Sequence, residues 1–156
     1  MNWKKPILNM NVPENPHRGS FGAVRKHDIH TGVDLYADEG TEVFAVEDGT
    51  IVKVGQFTGK DAGSPWWLDT DFMMIEGESG VVLYGEIEPA VSCGIVNSGD
   101  LIGYVKRVLR NDKGLPTSML HLELYETNSR DEAVWELNKE KPKCLRDPTF
   151  LLKNSR

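Results

Sequence analysis

Cysteine is scarce in this chain: of 156 residues only Cys93 and Cys144 carry a thiol. They form no close metal-ligand pair and no disulfide framework, and a bond between the two is left open. Histidine is nearly as rare, with four copies. No apolar run is long enough for a membrane span. Lys4 and Lys5 are not followed by the apolar stretch of a secretion signal, so no signal peptide is expected. Basic charge is in deficit, 18 Lys and Arg against 24 Asp and Glu, for a net charge of −6. That disfavours nonspecific binding to nucleic acid, which depends on neutralising phosphates. Low-complexity tracts and repeats of solenoid period are also missing. What is present, 39% hydrophobic and 27% charged residues, suits one globular domain with a real core.

Residues 1–19 carry three prolines and read as an irregular N-terminal arm. Short β-type runs follow. Val43–Val46 and Thr50–Val54 flank Asp48-Gly49, which predicts a hairpin. Phe72–Glu76 and Val81–Ile87 flank Gly77-Glu78-Ser79-Gly80 and predict a second, ended by Pro89. Ile95-Val96 and Leu101–Val108 flank Asn97-Ser98-Gly99-Asp100 and predict a third. Residues 57–71 and 110–118 read as loops, and 129–138 as a short helix. Asp147–Leu152 reads as a terminal apolar clasp. Closely spaced short strands favour a mostly β fold, a sandwich or barrel.

The chemistry concentrates in His30-Thr31-Gly32-Val33-Asp34. Gly32 and two β-branched residues disfavour a helix here. An extended segment bending at Gly32 can still bring Asp34 beside His30. In Met119-Leu120-His121-Leu122-Glu123-Leu124-Tyr125, alternation sets His121 on the face opposite three leucines. Two imidazoles and one carboxylate with an open position are the ligand set of a hydrolytic zinc site. Taken singly, each histidine also fits an ordinary structural residue, and Asp34 a turn cap.

These segments resemble the lysostaphin/LytM-type zinc endopeptidases, which cleave peptide cross-links of bacterial peptidoglycan. The resemblance runs from Ser20 to Leu152. Ser20-Phe21-Gly22 with Arg25 is similar to the family's Phe-Gly-x-Arg, with one extra residue. His30 to Asp34 resembles His-x-Gly-x-Asp, and Gly40–Ala45 and Asp48–Val52 resemble the segments after it. Leu120–Glu123 resembles the end of His-Leu-His-Phe-Glu, and Asp147–Leu151 the closing Asp-Pro-x-x-Tyr-Leu. The resemblance implies a sandwich-like β-barrel, the duplicated hybrid motif, over residues 20–152. It also implies zinc on His30, Asp34 and His121, with peptidoglycan peptides as substrate. Such an enzyme would act at the cell wall, whether exported, phage-borne or released; the compartment and the oligomeric state stay open.

Two departures matter. The family's two helper histidines, which orient water and stabilise the oxyanion, fall here on Met119 and Glu86. A thioether cannot exchange a proton, but a carboxylate at Glu86 can serve as a relocated general base. As alternatives, Glu86 is an exposed strand residue beside Glu88, and the chain an inactive zinc-binding relative serving as a binding or structural module. Glu123 shares the His121 face and fits either an imidazole-orienting partner or a solvated residue. Trp66, Trp67 and Tyr84 are the candidates for substrate contact, with one tryptophan alternatively covering the core edge. Lys106, Arg107, Arg110 and Lys113 suit either stem-peptide carboxylates or solvent.

Overall fold

A computed structural model describes residues 2–156. Its strands are β1 (Val33–Tyr36), β2 (Glu42–Phe44), β3 (Gly49–Thr58), β4 (Thr70–Gly77), β5 (Gly80–Pro89), β6 (Gly94–Val96), β7 (Leu101–Val105), β8 (Met119–Tyr125) and β9 (Leu145–Arg146). All belong to one antiparallel sheet with the path β1-β8-β5-β4-β3-β6; β7 joins β2 to β5, and β9 edges β8. The mostly β expectation holds, but the sheet does not close into a barrel: β1 and β6, at the two ends of the path, do not pair with each other.

Alternation builds an apolar layer on each face. Val33, Leu35, Val82, Tyr84, Leu120, Leu122 and Leu124 point into the larger core. Val81, Leu83, Phe72, Met74 and Tyr125 form the smaller one. His121 and Glu123 share the Tyr125 side of β8, so the polar residues rise from the smaller core's face.

Of the three expected hairpins, only β4–β5 forms, closing at Gly77 and Gly80. The Asp48-Gly49 hairpin is replaced: β2 pairs with β7, while β3 pairs with β4 and β6. The third hairpin fails the same way. The turn is present, with Asp100 N–H donating to Asn97 O, but β6 and β7 leave it for different partners. Long-range pairing instead sets β6 against β3 and places β7 between β2 and β5.

Residues 129–138 are not helical. Their backbone bonds go across to the His30 loop instead of along the chain: Ile29 N–H donates to Trp135 O, and Asp28 bridges Glu136. Trp135 also packs on Phe21, ring centroids 5.6 Å apart. The one α-helix among the described residues is α1 (Thr149–Lys153), where the terminal clasp buries Leu152. Residues 2–19 are irregular, yet Trp3 and Ile7 are among the most buried side chains. No helix of the described residues is long and apolar enough to cross a membrane. Cys93 and Cys144 are free thiols.

Candidate metal centre

β1 and β8 lie side by side with Asp34 directly opposite His121. The His30 loop closes over them because residue 32 is glycine. A Cβ there would stand 2.4 Å from Leu122 O and 2.9 Å from Glu123 Cγ, so a side chain would push the loop off β8. As built, His30 Nε2, Asp34 Oδ1 and His121 Nδ1 form a triangle with edges of 3.2, 3.2 and 3.0 Å. A tetrahedral ion with bonds of about 2.0–2.1 Å has ligand-to-ligand edges of roughly 3.3–3.4 Å. The three buried residues could therefore hold a metal with little movement.

The remaining polar atoms of these three side chains are already engaged. His30 Nδ1–H donates to Ser20 O at 2.9 Å, which leaves Nε2 as the free lone pair. Arg25 Nη2 donates to Asp34 Oδ2 at 2.9 Å and fixes the carboxylate plane. His121 Nε2–H donates to Glu123 Oε2 at 2.7 Å. Glu123 is held in turn by Thr31 and Tyr125. Phe57 packs beside His121, centroids 5.3 Å apart, in space that Gly85 leaves open.

Electrostatics follow from this packing. Burial opposes the Asp34 charge, but hydrogen bonds from His121 and His30 outweigh it and hold its pKa well below the carboxylate range. Burial would likewise lower His121, yet its bonds to Asp34 and Glu123 win and raise it well above 6.5. The nitrogen carrying that extra proton, Nδ1, is the one a cation would claim. The carboxyl groups of Asp34, Glu86 and Glu123 gather around the two imidazoles, oxygen and nitrogen donors of a kind that suits a divalent ion.

Glu86 reaches this face by a distortion that alternation does not predict. Gly85 pairs with Phe72 and Ile87 with Asp71, so Glu86 is an inserted bulge residue, with φ of 63°. It also marks the point where β5 exchanges β8 for β7 as partner. Tyr84 and Ile87 both point into the larger core, and the bulge turns Glu86 to the other side. Its Oε2 is buried with no hydrogen-bond partner among the described residues. Burial, then the Asp34 charge, pushes its pKa up to about 8. It is thus a buried group, not an exposed strand residue.

The other candidates fall elsewhere. Tyr84 is corrected from a substrate contact to a core residue: 1% exposed, its hydroxyl accepts the Val46 N–H. Unbroken alternation would set Tyr84 and Glu86 on one face, and the bulge removes that. Trp66 and Trp67 form an exposed, edge-on pair on the loop after β3, centroids 6.0 Å apart. That loop is braced by a Trp67–Leu109 bridge and by Arg110 donating to Pro65 O and Trp67 O. Arg107 and Arg110 therefore bond mainly to nearby backbone. Met119 is half-buried opposite Tyr36. Sequence reasoning passed over the Arg25–Asp34 bond and the Thr31 and Tyr125 contacts to Glu123. The only signal for the first was Arg25's place in the Phe-Gly-x-Arg lead-in.

The chain belongs to Peptidase family M23, whose profile matches residues 28–133. In fold it is similar to the catalytic domain of the antimicrobial peptidase lysostaphin from Staphylococcus simulans. That pair has 20% identity and a TM-score of 0.57, covering 86% of this chain and 89% of that one. A putative peptidase M23 from Pseudomonas aeruginosa matches with 14% identity and a TM-score of 0.56, over 99% of this chain. This chain spans 51% of that protein's length. Helicobacter pylori Csd3 matches with 19% identity and a TM-score of 0.51, over 88% of this chain and 37% of its own. No curated protein matches by sequence.

Proposed function

We propose that this protein is a zinc-dependent endopeptidase of peptidoglycan peptides, with Glu86 as general base. The observation that carries the reading is the triangle of His30 Nε2, Asp34 Oδ1 and His121 Nδ1, each ligand steadied from behind. Held by these three residues, zinc would supply Lewis-acid chemistry at the scissile carbonyl. Glu86 Oε2 would take a proton from the attacking water as its oxygen bonds to the scissile carbon, and would pass it to the amine nitrogen as the C–N bond breaks. A divalent charge nearby opposes the burial that raises Glu86 and so favours its ionised form. Arg25 keeps Asp34 oriented throughout. Trp66 and Trp67 offer flat apolar faces to a peptide or glycan strand. The substrate class follows the lysostaphin-type resemblance, and the place of action would be the cell wall.

The test has two arms. Single alanine variants at His30, Asp34 and His121 should lose zinc, read by elemental analysis of protein purified without added metal. Glu86→Gln should keep zinc and lose turnover on a cross-bridge peptide by about 10²–10⁴-fold. Full zinc content in all three alanine variants refutes the site, and wild-type turnover by zinc-loaded Glu86→Gln refutes the base. Met119 favours a second reading, since its thioether stands where relatives carry a proton-exchanging histidine. In that reading the protein is an inactive zinc-binding module. A zinc-loaded wild type that binds cell walls yet cleaves no cross-bridge peptide decides for it.

A further inference from the structure

Glu123 is 2% exposed and lies on the floor of the smaller core's face. Three donors converge on its two oxygens. His121 Nε2–H and the Thr31 hydroxyl meet Oε2 at 2.7 and 2.5 Å, and the Tyr125 hydroxyl meets Oε1 at 2.5 Å. Tyr125 Oη accepts the Ala133 N–H at 2.8 Å, so its own proton is turned toward Glu123. Nothing at this position could accept a donor in place of an oxygen. An amide would set its own N–H groups against at least one of the three.

These bonds join three separate pieces of chain. Thr31 belongs to the loop between His30 and Asp34, His121 and Tyr125 to β8, and Ala133 to the extended segment beside that loop. A single buried carboxylate thus ties both ligand-bearing elements together.

We propose that Glu123 is a positioning residue for the metal: it fixes the His121 ring and its Nε2–H tautomer, so that Nδ1 presents its lone pair to the ion. Glu123 touches neither the ion nor the substrate. Orienting an imidazole by a carboxylate on its far nitrogen restricts ring rotation and raises its strength as a ligand. The inference rests on His121 being a ligand, as proposed above.

The test compares wild type, Glu123→Gln and Tyr125→Phe. Zinc affinity is measured by competition with a colorimetric chelator, under conditions where circular dichroism shows each protein folded. Loss of such an orienting partner weakens metal binding roughly 10–100-fold. Glu123→Gln should show a loss of that size. Tyr125→Phe removes a donor from the opposite oxygen but keeps the His121 contact. It should lose stability with a smaller change in affinity. A second readout is independent of activity and of stability. In the zinc-loaded wild type, the His121 Nε2–H proton should resonate far downfield and exchange slowly, and in Glu123→Gln it should move upfield. Wild-type affinity in folded Glu123→Gln, or a His121 proton unchanged by the substitution, overturns the inference alone. A wild type that takes up no zinc overturns the triad reading as well.

Discussion

Tyr84 and Glu86 stand two residues apart on β5, and their side chains meet opposite surroundings. The Tyr84 hydroxyl lies in the core and accepts the Val46 N–H at 3.0 Å. Tyr84→Phe strands that buried donor and should cost about 1–3 kcal/mol in denaturant unfolding. Peptide turnover should not change, and a selective loss of turnover would return Tyr84 to the substrate site. Glu86 is pushed from 4.5 to about 8 by burial first and the Asp34 charge second. In metal-free protein the folded state therefore keeps a proton that the unfolded chain sheds near pH 4.5. The stability from that proton is intact below the unfolded pKa and is lost as pH rises through the folded one. Glu86→Gln has no such proton. With chelator present, its stability relative to wild type should grow from about pH 4.5 to about pH 8 and then level off. A difference that is flat across that window contradicts the assignment.

Among the elements, the N-terminal segment carries more of the fold than its irregular path suggests. Trp3 is 1% exposed, and its indole N–H is shared between Glu47 Oε1 and Ser79 Oγ, each at 3.0 Å. Lys4 N–H donates to Val46 O, and Phe44 N–H to Pro6 O, so the segment lines the edge of β2 and the turn after it. Trp3→Ala should destabilise by about 3–5 kcal/mol in urea unfolding. A loss within about 0.5 kcal/mol, the range of an ordinary surface change, would mean the segment is a dispensable arm. The bulge in β5 plays the matching part at the centre of the sheet. It spends one strained residue to send a carboxylate to the polar face while Tyr84 and Ile87 stay in the core.

At the scale of the whole molecule, two apolar layers hold the sheet without help from the triad. Metal should therefore add to stability without being required for folding. At free zinc 100-fold above its dissociation constant the linkage is worth about 2.7 kcal/mol. For a chain of this size that raises Tm by roughly 5–10 °C. Thermal melting followed by circular dichroism, before and after chelation, checks this. The chelated protein should still melt cooperatively. Collapse to an unfolded state on chelation, or no shift after removal of verified bound zinc, would contradict the independent core.

The sequence by itself determined what local chemistry and alternation dictate. The strand character of 72–87 and 119–125, the leucine face of β8 and the grouping of His30, Asp34 and His121 were all legible, the last through spacing and family resemblance. Only the tertiary structure decided where strands found partners. Turn residues at 48–49 and 97–100 fix a local bend but not the next neighbour, and long-range pairing claimed β2, β6 and β7. Residues 129–138 had helical composition, yet the backbone of the His30 loop offered partners that an isolated helix does not have. The placement of Glu86 needed the bulge, because a period of two carries no mark of the inserted residue that reverses it. For Glu123 the sequence left two readings open, an imidazole-orienting partner and a solvated residue. A buried carboxylate is told from a solvated one by the donors that surround it, and Thr31, Tyr125 and His121 meet there only in the folded chain.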